Sequence, residues 1–275
     1  MTRIRIGNQT SKTAFPITLP FEYAMEKGFD AFEWFPDKDP SGTGWKEKDL
    51  TPEIRERIRG LGLKHDILFS VHAPLDDDPL QFSGISAYEA GLELLRDIKA
   101  SLFIIHFPEE GGLRDFQKAI MPLIRYLDET NGVLSIENTP STSPENINLF
   151  FTLLQEENIP YRHVGLCLDL GHANLHHETR NDYLRYLAGI HDSIPVNHVH
   201  AHENYGDSDS HLTLFSGPAA RDEKGILAFI HWLKKHRFEG AVILEQWPQP
   251  PELLDRAREK LREIWDKVSG RQSDQ

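Results

Sequence analysis

Residues 102–137 read LFIIHFPEEGGLRDFQKAIMPLIRYLDETNGVLSIE and show the repeating unit of the chain. Two short apolar runs, residues 102–105 and 133–136, flank an amphipathic stretch near residues 113–130. Short continuous apolar runs are typical of strands buried on both faces of a parallel sheet, and the longer stretch is typical of a crossover helix. A potential metal ligand, His106 or Glu137, follows each run directly. The segment therefore predicts a strand–helix–strand unit with polar chemistry where its strands end.

The same unit recurs along all 275 residues. Strands are predicted at residues 4–7, 31–34, 68–71, 102–105, 133–136, 165–168, 196–199 and 241–244. Helices are predicted near residues 20–28, 50–61, 85–99, 113–130, 144–157, 180–191, 222–237 and 251–268. This alternation predicts an α/β fold, a (β/α)8 TIM barrel, with a single domain at residues 1–268 and a polar C-terminal tail at 269–275. A doubly wound open sheet is the alternative, although no GxGxxG or P-loop motif follows a predicted strand.

The composition of the chain narrows the classes of binding partner and the cellular compartment that we expect. The chain has 30 Lys and Arg against 43 Asp and Glu, and its net charge of −13 argues against a general polyanion binder. Its one cysteine, Cys167, excludes an internal disulfide and fits a reducing cytoplasm. No apolar run approaches the roughly 20 residues of a membrane span, and no signal region precedes the first strand. We therefore expect a cytoplasmic protein with no membrane or nucleic-acid partner. A homo-oligomer is compatible with the sequence, but no segment marks its interface.

Potential metal ligands follow nearly every predicted strand. They are Glu33, His72, His106 and Glu137 after strands two to five, Asp169 and His172 after strand six, His200 and His202 after strand seven, and Glu245 after strand eight. The carboxyl ends of barrel strands meet at one mouth, where unpartnered carboxylates would cost several kcal/mol to bury. A cation removes that cost, so the sequence predicts a divalent-metal site. Asp209 and His211, two residues apart in the next loop, either add a ligand pair or form a solvated loop.

The order of these motifs resembles one known group of proteins. His-Ala-Pro, Ile-His, Ile-Glu-Asn, Asp-x-Gly-His-Ala, His-x-His-x-Asn, Asp-x-His and Leu-Glu together are similar to the xylose isomerase-like TIM-barrel superfamily, from Ile4 to about Glu245. That superfamily includes endonuclease IV and sugar-phosphate isomerases and epimerases. Membership implies the barrel fold, an enzyme and a divalent metal, but it does not choose among these chemistries.

The resemblance implies two types of metal site. In the isomerase and epimerase branch one divalent ion, often manganese, is held by residues that match Glu137, Asp169, His200 and Glu245, and the two glutamates act as acid and base. In the endonuclease IV branch a three-zinc cluster is held by nine residues, whose matches are His72, His106, Glu137, Asp169, His172, His200, Asp209, His211 and Glu245. All nine positions carry the right residue type. The expected cofactor is therefore Mn or Zn, in one to three ions.

The loops around the predicted mouth favour a small-molecule substrate. A mouth that binds duplex DNA would present Arg and Lys to the phosphates, but these loops carry acids instead. The acids are Asp37, Asp39, Asp76, Asp77, Asp78, Glu109, Glu110, Glu203 and Asp207. The leading hypothesis is an isomerase or epimerase of a small sugar or polyol derivative that acts through an enediolate, with Glu137 and Glu245 as the acid and base. The alternative is a hydrolase of a small phosphoester or amide with two or three metals, and a DNA endonuclease ranks below both.

Candidate substrate-binding residues complete the predicted site. They are Glu33, Trp34, His202, Arg221 and Trp247. Aromatic rings with polar edges are typical of sugar pockets, and an arginine is suited to a phosphate or hydroxyl group. Core packing is the alternative for the two tryptophans, and a solvated position is the alternative for Arg221.

Overall fold

Eight parallel strands close into a barrel in chain order. The computed structural model describes residues 4–75, 77–81, 84–108, 112–160 and 162–270. The strands are β1 Arg5–Gln9, β2 Ala31–Trp34, β3 Leu68–His72, β4 Leu102–His106, β5 Val133–Glu137, β6 Val164–Asp169, β7 Val196–Ala201 and β8 Ala241–Leu244. Pairing of β1 with β8, with Gly7 opposite Ile243, closes the sheet. This confirms the predicted (β/α)8 barrel.

Helices surround the barrel and connect its strands. In the described part of the chain they are α1 Leu19–Lys27, α2 Pro52–His65, α3 Glu89–Ile98, α4 Leu113–Glu129, α5 Pro144–Glu156, α6 Leu170–Leu175, α7 Tyr183–Gly189, α8 Lys224–Lys235 and α9 Glu252–Gly270. No described helix combines the length and the apolar character that a membrane span requires. The helix α9 includes Ser269, which the sequence analysis placed in the tail, and residues 271–275 lie outside the described residues.

Local chemistry explains where the connecting helices begin. The hydroxyls of Thr51 and Ser143 accept hydrogen bonds from the backbone N–H groups at the starts of α2 and α5, and a proline occupies the first turn of each helix. The short helix α6, which the sequence did not predict, is capped in the same way by Asp169, whose carboxylate accepts from the N–H of His172. A side chain expected to act as a metal ligand therefore also starts a helix.

Side-chain alternation divides the core into two layers. In β2 Glu33 faces the barrel interior, where it contacts His198, so Trp34 must face outward. Trp34 is fully buried between barrel and helices and packs against Phe21 of α1 at a ring separation of 5.4 Å. The expectation that Trp34 binds substrate is therefore wrong, because the period of two residues turns its ring away from the mouth.

Replacement of Gly7 by alanine should destabilise the barrel where it closes. A Cβ at this position would overlap the carbonyl oxygen of Ala31 on β2 and would lie 2.8 Å from Cδ1 of Ile243 on β8. We expect Gly7→Ala to lower the free energy of unfolding by about 1–3 kcal/mol, measured by urea denaturation. Gly60→Ala on α2 is the matched control, since nothing lies within 4 Å of its Cβ and alanine favours the helix. Equal stability of the two variants would contradict the close approach of these strands.

Candidate metal centre

The carboxyl ends of the strands bring the predicted ligands to one mouth. His72, His106, Glu137 and Asp169 are the last residues of β3, β4, β5 and β6. His106 lies directly opposite Glu137 in the register of neighbouring strands, and Asp169 lies opposite His200. Parallel strands in register thus place side chains from distant parts of the sequence at the same height in the barrel.

Glu137 lies at the centre of this cluster and has no solvent contact. Its Oε2 is 2.8 Å from Nε2 of His72, 3.1 Å from Nδ1 of His200 and 3.5 Å from Nε2 of His106. Its Oε1 is 3.3 Å from Nδ1 of His172. Burial acts to raise the pKa of Glu137, but the positive charge of the imidazoles, above all His200, holds it well below its usual range. Glu137 is thus a carboxylate with imidazole nitrogens facing both oxygens.

A second group of donors lies beside Glu137. The Nδ1 of His200 is 3.6 Å from Oε1 of Glu245 and 3.9 Å from Oδ2 of Asp169. Burial, together with the negative charges of Asp169 and Glu137, raises the pKa of Glu245 to about 7. The carboxylates of Glu137, Asp169 and Glu245 therefore all approach Nδ1 of one buried imidazole, an arrangement that favours a bound cation.

The loop after β7 adds a third group of donors. Backbone hydrogen bonds between Glu203 and Leu212, of 2.7 and 2.8 Å, fold this loop back on itself. The Oδ2 of Asp209 lies 3.3 Å from Nε2 of His172 and 3.1 Å from Nε2 of His211. The loop pair that the sequence offered as ligands is thus brought to the mouth, where it meets a histidine of α6.

Backbone carbonyls orient three of the imidazole rings. The Nδ1 atoms of His72, His172 and His211 lie 2.7, 2.8 and 3.0 Å from the carbonyl oxygens of Ala73, Asn138 and Glu245. A carbonyl oxygen only accepts, so Nδ1 carries the proton and the neutral ring presents the Nε2 lone pair. Each of these Nε2 atoms faces a carboxylate oxygen. Two lone pairs that face each other need a proton or a metal ion between them, which is the arrangement of a ligand set.

Unsatisfied polar atoms support the same conclusion. Among the described residues, Oε1 of Glu137, Oε2 of Glu245 and both ring nitrogens of His200 are buried without a hydrogen bond of good geometry. Buried polar atoms of this kind are costly unless another partner satisfies them. Imidazole nitrogen and carboxylate oxygen suit Zn²⁺ and Mn²⁺. The residues present therefore fit a divalent metal, and nine donors exceed the roughly four to six that one such ion takes.

Three of the remaining predicted substrate contacts do not line the cavities. Glu33 is fully buried inside the barrel and contacts His198 and His200, so it cannot reach a substrate. His202 is buried within the donor cluster, where its Nε2 lies 3.1 Å from Oδ2 of Asp169 and 3.7 Å from Oε2 of Glu245. Arg221 is exposed beyond a short 3-10 turn and is not among the residues that line the cavities beside the donors. The structure thus places Glu33 beneath the donors, His202 among them and Arg221 at the surface.

Two adjoining cavities open onto the donors. One of about 490 Å³ is lined by Lys12, Trp247, Glu137 and Glu245 among others, so Trp247 borders the space beside the donors. The second, of about 830 Å³, lies on the side of Pro74, and polar and apolar groups share its walls. Both are bordered by His106, His172 and Asp209. A substrate spanning the two cavities would therefore cross the donors.

Three of the loop acids predicted at the mouth line these cavities, whereas Asp39 and Asp207 do not. Asp37 borders the smaller cavity, and Asp77 and Asp78 border the larger one. Glu203 instead accepts hydrogen bonds from the backbone N–H groups of Gly217 and Ala219, so its role is structural. The predicted loop acids Asp76, Glu109 and Glu110 lie outside the described residues.

The sequence analysis assigned no role to His198. This residue is buried, and its Nε2 lies 2.8 Å from Oε2 of Glu33. Its position indicates this contact, since His198 is two residues before His200 in β7 and so faces the same side of the strand. Cys167 is also buried, and its sulfur, a carboxylate oxygen of Glu137 and a nitrogen of His200 lie within 4.8 Å of one another.

Comparisons with known proteins agree with this architecture. A family model described as xylose isomerase-like TIM barrel matches residues 21–264. An uncharacterized protein of Methanocaldococcus jannaschii is 26% identical over 174 residues, which are 57% of this chain and 64% of that relative. A second uncharacterized protein of that organism is 23% identical over 251 residues, or 83% of this chain and 78% of the relative.

Solved structures with two different activities share the fold. Endonuclease IV from Thermus thermophilus has a TM-score of 0.68 and 20% identity, with 96% of this chain and 99% of that chain covered. The 3-keto-D-glucoside 4-epimerase from E. coli has a TM-score of 0.64 and 17% identity, with 94% and 99% covered. Likeness at this identity concerns the fold alone, so the donors at the mouth must distinguish the activities.

Divalent metal should stabilise the folded protein through Glu137. A ligand at 100 times its dissociation constant adds about 2.7 kcal/mol to folding stability, so Zn²⁺ or Mn²⁺ should raise the thermal midpoint and a chelator should lower it again. Glu137→Gln should respond far less, because the charge of the central carboxylate is lost. His177→Gln is the control, since the side chain of His177 is 73% exposed. Equal metal responses in all three proteins would contradict the metal centre.

Proposed function

The chain belongs to the xylose isomerase-like TIM-barrel family, and from that premise we propose that it is a hydrolase of small phosphoesters that holds two or three divalent ions at the barrel mouth. The observation that carries the proposal is Glu137, whose two oxygens both face imidazole nitrogens, at 2.8 to 3.5 Å. A carboxylate so surrounded would be suited to hold more than one ion. Glu137 borders the smaller cavity, but four imidazole nitrogens already face its two oxygens, which favours the holding of ions over the removal of a proton from carbon.

The nine donors separate into three sets, one for each ion. We assign His72 and His106 with Glu137 to the first ion, Asp169, His200 and Glu245 with Glu137 to the second, and His172, Asp209 and His211 to the third. Five of the nine donors are imidazoles, which favours zinc over the oxygen-preferring metals. The third set includes the loop after β7, so the number of ions held depends on that loop.

When bound, such ions polarise a phosphoryl oxygen and lower the pKa of a water molecule. The chain itself supplies the positioning. The carbonyl contacts of His72, His172 and His211 hold their rings in one orientation before any ligand arrives. Lys12 and Ser11 line the smaller cavity and are suited to bind the phosphate oxygens of a substrate.

Charge favours a small substrate over nucleic acid. Lys12 is the single lysine or arginine among the described residues that line the two cavities, whereas Asp37, Asp77 and Asp78 all border them. A duplex contacts many phosphates and needs many cations. A phosphoester of a small alcohol needs only the ions and one or two further groups.

Hydrolysis of model phosphoesters tests the proposal. Protein loaded with Zn²⁺ or Mn²⁺ should release p-nitrophenol from p-nitrophenyl phosphate or its bis ester. His72→Ala and His106→Ala should each lower the rate at least about 100-fold, because each removes a ligand from the first ion. His177→Ala, at an exposed position, should keep full activity. No release from either ester would reject the proposal, and cleavage confined to an abasic duplex would identify a nucleic-acid enzyme instead.

A sugar isomerase or epimerase is the second candidate. It is favoured by a second carboxylate, Glu245, which follows β8 and lines the same cavity as Glu137 of β5. Two carboxylates from different walls of a barrel are suited to move a proton between two faces of a substrate.

Proton exchange separates the two candidates. An isomerase should incorporate deuterium from D₂O at the carbon next to the carbonyl of a ketose, detected by NMR, and Glu245→Gln should abolish this exchange. Such a single-ion enzyme should keep most of its exchange in His72→Ala and His106→Ala. Exchange by the wild type without phosphoester hydrolysis would replace the proposed function with this one.

A further inference from the structure

Glu33 forms a buried polar junction beneath the candidate metal centre. It lies in β2, faces the barrel interior and has no exposed surface. Its Oε2 accepts hydrogen bonds of 2.8 Å from the hydroxyl of Ser70 on β3 and from Nε2 of His198 on β7. Its Oε1 lies 2.9 Å from Nε2 of His200. An isolated buried carboxylate costs several kcal/mol, so the surrounding donors are what make its burial tolerable.

The contact with Glu33 determines which way His200 presents its lone pair. A carboxylate faces each ring nitrogen of His200, so without a metal ion a proton on each nitrogen is favoured, although neither contact is a well-aligned hydrogen bond. A ring that binds a metal ion through Nδ1 keeps its one proton on Nε2, where the ionised Glu33 only accepts. In that neutral ring the lone pair is on Nδ1. That atom lies 3.1 Å from Oε2 of Glu137 and 3.6 Å from Oε1 of Glu245, inside the donor cluster. No backbone carbonyl among the described residues performs this task for His200, in contrast to His72, His172 and His211.

We propose that Glu33 is a positioning residue that holds His200 in the one tautomer able to bind a metal ion through Nδ1. The inference rests on the metal centre of the proposed function, and it assigns Glu33 a role that neither the sequence nor the comparisons assigned. A carboxylate bound to the far nitrogen of a ligating histidine fixes the ring and strengthens its bond to the metal. Ser70 and His198 in turn hold Glu33 from the opposite side.

An isosteric amide reverses the polarity of this contact. In Glu33→Gln the amide oxygen should stay at the Oε2 position, because Ser70 and His198 both donate there. The amide N–H group then faces Nε2 of His200, which must accept instead of donate. The proton moves to Nδ1 and blocks the atom that faces Glu137. The variant therefore changes a tautomer while it keeps the size and shape of the side chain.

Cobalt binding measures the effect without an activity assay. Metal-free wild type and Glu33→Gln are titrated with Co²⁺, bound ions are counted by competition with a chromophoric chelator, and the visible spectrum of the Co²⁺ protein is recorded. One equivalent of Co²⁺ should bind about 10- to 100-fold more weakly in Glu33→Gln, with a changed visible band, while the other equivalents keep their affinity. The same equivalent should be lost in His200→Ala.

Two further variants separate positioning from stability. His177→Gln, at an exposed position outside the site, keeps the whole donor cluster and should keep wild-type Co²⁺ affinity. Glu33→Asp keeps the charge but retracts it from His200, and it should weaken the same equivalent. Glu33→Asp replaces Glu33→Gln if Glu33→Gln does not fold. The midpoint of thermal unfolding shows whether each variant folds.

The outcomes are distinguishable. The inference would be overturned if folded Glu33→Gln bound Co²⁺ with the affinity and the visible spectrum of the wild type. The same holds for Glu33→Asp if it has to replace Glu33→Gln. Equal weakening of every equivalent would also overturn it, because that result indicates a general structural defect. If the wild type itself binds no Co²⁺, the proposed function fails first and the role of Glu33 fails with it.

Discussion

A carboxylate without solvent contact, Glu137, lies among imidazole nitrogens from β3, β4, β7 and α6, and the mouth of the barrel is organised around it. A buried charge of this kind is tolerated only when opposite charge or strong donors surround it. His72 is 65 residues away in sequence, and the pairing of β3, β4 and β5 brings it to 2.8 Å. Assembly of the sheet therefore supplies the donors that the buried charge needs.

Three kinds of group orient the imidazoles by contacts outside the donor cluster. Backbone carbonyls hold three of the rings, and a buried carboxylate, Glu33, holds His200. Asp169 caps α6 and so fixes the start of the helix that carries His172. Rings held in this way lose little freedom when a ligand binds, which is how a site becomes preorganised. The polar groups inside the barrel thus position the donors at its mouth.

Proteins with different activities share this barrel, so the fold alone does not identify the reaction. Endonuclease IV and a sugar epimerase both superpose along nearly the whole chain. What distinguishes the possibilities is local: how many donors meet, whether a carboxylate remains open to substrate, and which charges line the cavities. Here the donors are numerous, imidazole nitrogens face both oxygens of Glu137, and acids outnumber the single lysine among the charged residues that line the cavities. These features favour a centre with several ions and a small substrate.

Period and spacing alone predicted the eight strands, the barrel and the residues that meet at its mouth, because a parallel barrel places every strand end at one rim. The direction of individual side chains needed the folded chain. Trp34 and Glu33 are neighbours in sequence, yet one packs against Phe21 outside the barrel and the other contacts His200 within it. Alternation along a strand says that two neighbours face opposite ways, but not which of them faces in. That choice, and with it the tautomer of each imidazole, depends on partners from other strands that only closure of the barrel brings within hydrogen-bonding distance.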